Sequence, residues 1–153
     1  MQTLKIKIKR LTPTAKMPTK AHATDAGYDL YADTFACDGA GNMIYGTGVA
    51  VEIPHGYVGL VFPRSSIANL PITLTNSVGV IDSGYRGEVK AKFKPLRKMT
   101  EDWIQAFNNF KTYEVGDRIA QLIIMPYPEV VFEEVGELSD SDRGTGGYGS
   151  SGK

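Results

Sequence analysis

Apolar and polar residues alternate along much of this chain. Leu4, Ile6 and Ile8 stand against Lys5, Lys7 and Lys9, and Val49, Val51 and Ile53 keep the same spacing. Val89, Ala91 and Phe93 are interleaved with Lys90, Lys92 and Lys94. Alternation sends successive side chains to opposite faces of a strand, so these segments predict strands with one wet face. Mostly apolar runs from Val58 to Phe62 and from Ile119 to Met125, the second interrupted only by Gln121, predict strands buried on both sides. The turn sequences Asp38-Gly39, Pro54-His55-Gly56 and Asp82-Ser83-Gly84 punctuate the pattern, the last at the bend of an expected hairpin. Many short strands with frequent turns predict an all-β sandwich or jelly-roll, with residues 1–138 as a single domain.

One segment departs from alternation. Thr100 is placed as an N-cap, with Glu101 and Asp102 in the first turn, where their charge suits the helix dipole. Met99 and Ile104 occupy staple positions, and Trp103, Phe107 and Phe110 fall on one face, which predicts a short helix near 100–110. Packing that aromatic face on the protein's own sheet is the simpler role. A docking surface for a partner is the alternative.

Composition narrows the function classes. With 153 residues, 42% of them hydrophobic and 22% charged, the chain suits one soluble domain with a real core. Lys and Arg number 17 and Asp and Glu also 17, so no basic excess exists to bind polymeric nucleic acid or an anionic membrane. Any recognition of phosphate must be local. A single cysteine, Cys37, excludes an intramolecular disulfide, and no apolar run follows the first residue, so a cytoplasmic location is expected. Cys37 has no histidine near it in sequence and reads as a packed side chain rather than a nucleophile. His22 and His55 are too few to join it in a structural zinc site, whereas oxygen-ligated Mg²⁺ stays open.

The end of the chain, Arg143-Gly-Thr-Gly-Gly-Tyr-Gly-Ser-Ser-Gly-Lys153, matches two phosphate motifs in part. Residues 144–149 read G-x-G-x-x-G without the flanking strand and helix of a dinucleotide site, and residues 147–153 read G-x-x-x-x-G-K without the helix of a P-loop. Glycine-rich composition instead predicts a mobile arm over 139–153 that orders when something binds it. Its backbone N–H groups, hydroxyls and Arg143 suit it to grip oxyanions.

Within the domain, Asp29 lies in the strand-like run Asp25-Ala-Gly-Tyr-Asp-Leu-Tyr-Ala, where a carboxylate would be costly without a cation or donors. Asp82 lies in Gly79-Val-Ile-Asp-Ser-Gly-Tyr-Arg-Gly87, where a turn-forming hydrogen bond is the bland alternative to chemistry. Arg64 and Ser65 start what reads as a single helical turn able to face an anion. Asp117 and Arg118 read as a structural ion pair, and Gln121 as a phosphate donor from the next strand.

Taken in order, Asp25 to Ala32, Pro63-Arg-Ser-Ser66, Asn76 to Glu88, Gly116-Asp-Arg-Ile-Ala-Gln-Leu122 and Arg143 to Gly152 closely resemble the motifs of the homotrimeric dUTPase family. The resemblance implies a distorted jelly-roll trimer that hydrolyses dUTP to dUMP and pyrophosphate, keeping uracil out of DNA and supplying dUMP for thymidylate synthesis. Active sites shared between subunits and closed by another chain's arm are implied as well. The matching residues imply Asp82 as the base that activates water, and Asp29 as the holder of a water ligand of Mg²⁺. Arg64, Ser65, Ser66, Gln121, Arg143, Ser150 and Ser151 would hold the phosphates. Asn76, Gly79, Val80 and Ile81 would read uracil, Tyr85 would pack under the deoxyribose, and Tyr148 would stack on the base.

The chain differs from the usual family pattern at Ser66, commonly Gly, and at Tyr148, commonly Phe, which preserves stacking. A third difference is the long 95–113 segment, which keeps docking of a regulatory protein open. A dCTP deaminase of the same fold is the nearest rival, set apart by the Asp82 and Tyr85 pair with the Arg143 arm. A nucleotide-sensing binding module is the rival from another class.

Overall fold

The computed structural model describes residues 3–96 and 112–147. The helix expected near 100–110, and Tyr148, Ser150 and Ser151, lie outside the described residues. Among the described residues ten strands follow in order: β1 (Lys7–Arg10), β2 (Tyr28–Tyr31), β3 (Thr34–Cys37), β4 (Met43–Gly46), β5 (Val49–Glu52), β6 (Tyr57–Pro63), β7 (Ile72–Leu74), β8 (Gly79–Ile81), β9 (Lys90–Pro95) and β10 (Arg118–Pro126). A 3₁₀ turn, Ser65–Asn69, sits between β6 and β7.

The strands form two four-stranded antiparallel sheets, β2-β10-β6-β8 and β3-β4-β9-β7, with β1 and β5 as a separate pair. From β6 onward successive strands change sheet each time, which gives the molecule its jelly-roll character. Leu30, Val61, Ile119 and Leu122 from one sheet meet Tyr45, Leu74, Ala91 and Phe93 from the other in a common core. The lysine-rich strand behaves as its alternation predicts: Lys90, Lys92 and Lys94 are exposed, while Val89, Ala91 and Phe93 are buried.

Two expectations change. Among the described residues, β6 and β10 are covered on one face only. Their register sets Phe62 opposite Gln121, Leu60 opposite Ile123 and Val58 opposite Met125, a row left half-buried or exposed with no other layer of the described residues over it. The segment around Asp82 is also not the bend of a hairpin. β8 pairs with β6, whereas β9 pairs with β4 and β7, so residues 82–89 cross from one sheet to the other.

Aromatic packing closes the core beside the later site. Tyr45 and Tyr113 meet edge to face with centroids 6.1 Å apart, and Phe93 lies 5.9 Å from Tyr45 and 5.5 Å from Tyr113. The Tyr45 hydroxyl donates to the carbonyl of Tyr113 at 2.8 Å. Burial raises both hydroxyls above the ordinary tyrosine value of 10.0, opposed at Tyr45 by Thr112 and at Tyr113 by the Ser66 hydroxyl and the Arg64 charge. Tyrosines in the unfolded chain ionise first as pH rises. The stabilising contribution is therefore full below the ordinary value and is lost as pH climbs through the raised one. Tyr113 Oη makes no hydrogen bond among the described residues. Tyr113→Phe should therefore be close to neutral at pH 7 and lose less stability than the parent above pH ~10. Urea midpoints across pH 7 to 11 test this; a steeper alkaline loss in the variant would contradict it.

Candidate functional site

One half of the candidate site is built on β2, the end of β6, and β10. Asp29 on β2 is 3% exposed. Arg64 Nε–H donates to Asp29 Oδ1 at 2.8 Å, Arg118 Nη1–H to Oδ2 at 3.2 Å, and Gln121 Nε2–H to Oδ1 at 3.4 Å. The strand ladder explains the convergence, since Gln121 pairs with Asp29 on one side and with Phe62 on the other, two residues before Arg64. A bulge between Arg118 and Ala120 shifts the register and lets Arg118 reach Asp29. Both Nη groups of Arg64 make no hydrogen bond among the described residues, so donors stay free beside a fixed Nε.

Arg118 is the residue that sequence reasoning missed. It does not pair with Asp117, its expected partner. The Asp117 carboxylate instead accepts the Glu114 N–H at 2.8 Å and shapes the turn before β10. Asp117 stands in the turn and Arg118 on the strand, and no residue type in the sequence marks that boundary or the bulge that carries Arg118 to Asp29.

Ser65 is exposed at the start of the 3₁₀ turn, but Ser66 Oγ is turned inward and buried. It lies close enough to Tyr113 Oη to favour that group's ionised form, without hydrogen-bond geometry. Arg143 is not brought to this cluster. Its Nε–H donates to Gly146 O at 2.9 Å, inside a run of exposed residues from Met125 to Thr145.

The other half is a cavity of about 260 Å³ lined by Val80, Ile81, Asp82, Tyr85, Glu88 and Lys90. Asp82 holds its turn through its carbonyl, which accepts the Tyr85 N–H at 3.0 Å. No hydrogen bond reaches its carboxylate among the described residues, so the side chain is not committed to turn formation. Asn76 precedes Ser77, whose φ of 60° is rare outside glycine, and accepts the Val78 N–H at 2.6 Å. Its side-chain amide stands close to Gly79: a Cβ at Gly79 would lie 3.5 Å from Asn76 Nδ2 and 3.2 Å from Val61 Cβ.

Among the described residues no group of three His, Cys, Asp or Glu side chains gathers as a metal cage. Asp29, with both oxygens already engaged, suits contact with a metal through water rather than direct ligation. Removing Asp29 leaves Arg64 and Arg118 without the carboxylate that both of them contact. Asp29→Ala should cost ~3 kcal/mol in urea unfolding and weaken calorimetric binding of inorganic pyrophosphate; a cost below ~1 kcal/mol would show that solvent already neutralises both arginines.

The family model described as dUTPase matches residues 13–152. A deoxyuridine 5'-triphosphate nucleotidohydrolase from Rhodococcus erythropolis is 42% identical over 151 residues, covering 97% of this chain and 87% of the relative. The solved Staphylococcus bacteriophage 80alpha dUTPase with dUPNHPP superposes with a TM-score of 0.82 at 31% identity, covering 99% of this chain and all of the other. A mutant dUTPase from phage phi11 of S. aureus, solved to detail the coordination of a structural Mg(II) ion, gives a TM-score of 0.70 at 27% identity, over 88% of this chain and 98% of the other. The motif order, the jelly-roll sheets and a family match spanning nearly the whole chain agree, and the chain belongs to the dUTPase family.

Proposed function

We propose that the chain hydrolyses dUTP to dUMP and pyrophosphate. One observation carries this reading: the Asp82 carboxylate is left uncommitted in the same small cavity as Tyr85, within a chain of the dUTPase family. Asp82 takes a proton from water as the water oxygen bonds to the α-phosphorus. The bond from that phosphorus to the bridging oxygen breaks, and pyrophosphate carries away the electron pair. The free Nη groups of Arg64, the Gln121 amide, the Ser65 hydroxyl and the N–H of Ser66 hold phosphate oxygens, joined by Arg143, Ser150 and Ser151 of the arm. Asn76 and the backbone of Gly79, Val80 and Ile81 read uracil, Tyr148 stacks on it, and Tyr85 fills the space that a 2′-hydroxyl would need.

The donor set fits a hydrated metal carried by the substrate, with Asp29 meeting it through water. When bound, Mg²⁺ neutralises and aligns the triphosphate.

We further propose a cytoplasmic homotrimer with shared sites. Support comes from the uncovered apolar row on β6 and β10 and from Val131 (87% exposed), Phe132 (94%) and Leu138 (87%), apolar area that one chain leaves to water. Among the described residues no helix is long and apolar enough to cross a membrane. Docking of a regulatory protein on 95–113 is a second reading, supported by the phage 80alpha relative, described among dUTPases that control transfer of virulence genes.

Pyrophosphate release from dUTP with Mg²⁺ is the first test, and ammonia release from dCTP would instead indicate a deaminase. Asp82→Asn keeps shape and removes proton-accepting capacity, so turnover should fall ~10²-fold with little change in dUTP affinity. Near-normal turnover would sink the assignment of Asp82. Truncation after Ser141 should remove most turnover while light scattering still reports three chains; loss of the assembly would place those residues in the subunit contact instead.

A further inference from the structure

Resting on the dUTP reading, we propose that Glu88 is a positioning residue that anchors the Asp82–Gly87 loop and thereby sets Tyr85 against the sugar. The loop leaves β8 in one sheet and enters β9 in the other, so its two ends are fixed by different ladders. Between them its hydrogen bonds are mostly its own: Tyr85 N–H to Asp82 O at 3.0 Å, and Arg86 Nη1–H to Ser83 O at 2.6 Å and Tyr85 O at 2.9 Å. The Tyr85 ring reaches outside that set. Its hydroxyl donates to the backbone carbonyl of Glu88 at 3.0 Å.

Glu88 is in turn tied to the β4–β5 turn. Its Oε1 accepts the Gly48 N–H at 2.9 Å, and its Oε2 meets Lys90 Nζ at 3.2 Å. The point of attachment is rigid. Gly48 has a φ of +65°, its carbonyl accepts the Leu11 N–H at 2.7 Å, and a Cβ there would stand 2.7 Å from Ala15 Cβ and from Asp33 Oδ2. The next residue pair is stitched too, since the buried Thr47 hydroxyl donates to Val89 O at 2.6 Å and Val89 N–H to Val49 O at 2.9 Å.

Two glycines make room for this chain of contacts. A Cβ at Gly46 would collide with Glu88 Oε1 and Thr34 Oγ1, and a Cβ at Gly87 would collide with the Tyr85 hydroxyl. Both are needed for close approach: Gly46 admits the Glu88 carboxylate to the turn, and Gly87 lets the Tyr85 ring fold back over its own loop. Glu88 touches neither the reacting phosphorus nor the attacking water in this reading. It acts through Tyr85 and Asp82.

The relevant feature of Glu88 is its acceptor oxygen at the Gly48 N–H. Its pairing with Lys90, whose side chain is 55% exposed, is a screened surface contact of small worth. Glu88→Gln keeps the acceptor, whereas Glu88→Ala removes it and Glu88→Asp shortens the side chain out of reach. Amide exchange over residues 82–88 reads the anchor without substrate, and the ratio of kcat/KM for dUTP to that for UTP reads its effect on the sugar. Glu88→Ala and Glu88→Asp should each speed exchange and lower the ratio about tenfold, mainly by lowering KM for UTP, while Glu88→Gln stays within about threefold of the parent. If Glu88→Ala does not fold, the comparison of Asp with Gln decides. A lower melting temperature with unchanged exchange or an unchanged ratio would overturn the inference, because a purely structural glutamate gives that pattern. If the parent releases no pyrophosphate from dUTP while exchange still separates Gln from Ala and Asp, the dUTP reading falls and the anchor stands. If the parent hydrolyses dUTP but all variants exchange alike, the anchor falls alone.

Discussion

The buried carboxylate of Asp29 is the interaction on which the arginine half of the candidate site depends. An ionised carboxylate at 3% exposure is tolerable only with cations and donors around it, and here Arg64, Arg118 and Gln121 supply them. The consequence runs in both directions. The arginines make the buried charge affordable, and the charge fixes the arginines. Arg64 is held at Nε, which leaves its Nη groups aimed by a bond that does not use them. In the proposed function, that division lets a flexible side chain grip phosphate with less ordering left to do at binding.

Such a cluster demands correct strand register. Asp29 and Gln121 face one another across the ladder, and Arg64 follows the residue paired with Ala120. A slip of one residue in β10 would send Gln121 into the core and bring Leu122 out beside two arginines. Burial of Ala120 and Leu122 on one face of β10 and the polar cluster around Gln121 on the other therefore enforce the same register. Tyr113 extends that link into the core, with its ring among Tyr45 and Phe93 and its hydroxyl near Ser66 and Arg64.

Alternation along single strands was legible because it depends on neighbours two residues apart, as at Val89, Ala91 and Phe93. Sheet membership was not, because it depends on partners far along the chain. The sequence Asp82-Ser-Gly reads as a hairpin bend, yet the strands on either side join different sheets. Double burial of β6 and β10 was likewise a statement about layers, which composition alone does not reveal: an apolar row can be covered by the same chain or left for another copy. Asp29 stood out as a carboxylate among apolar residues, but Arg118 could not be assigned to it. The adjacent Asp117 offered a nearer partner, and the bulge that redirects Arg118 has no signature in residue types.

In the proposed function, the two halves of the site use different physics. The cavity around Asp82 and Tyr85 selects by shape, and its precision rests on hydrogen bonds that never touch a ligand: the Tyr85 hydroxyl on a carbonyl, and a carboxylate on a backbone amide. The cluster around Asp29 works by charge, where each charge-assisted bond contributes ~1.5–3 kcal/mol and a small displacement costs little as long as the donors still reach oxygen. Shape selection tolerates less error, since an ångström of slack in Tyr85 opens the space for a hydroxyl. The structure distributes its constraints accordingly. The proposed sugar side is tied to a crowded glycine turn, and the proposed phosphate side is left to Arg64, pinned at Nε with its Nη groups unbonded among the described residues.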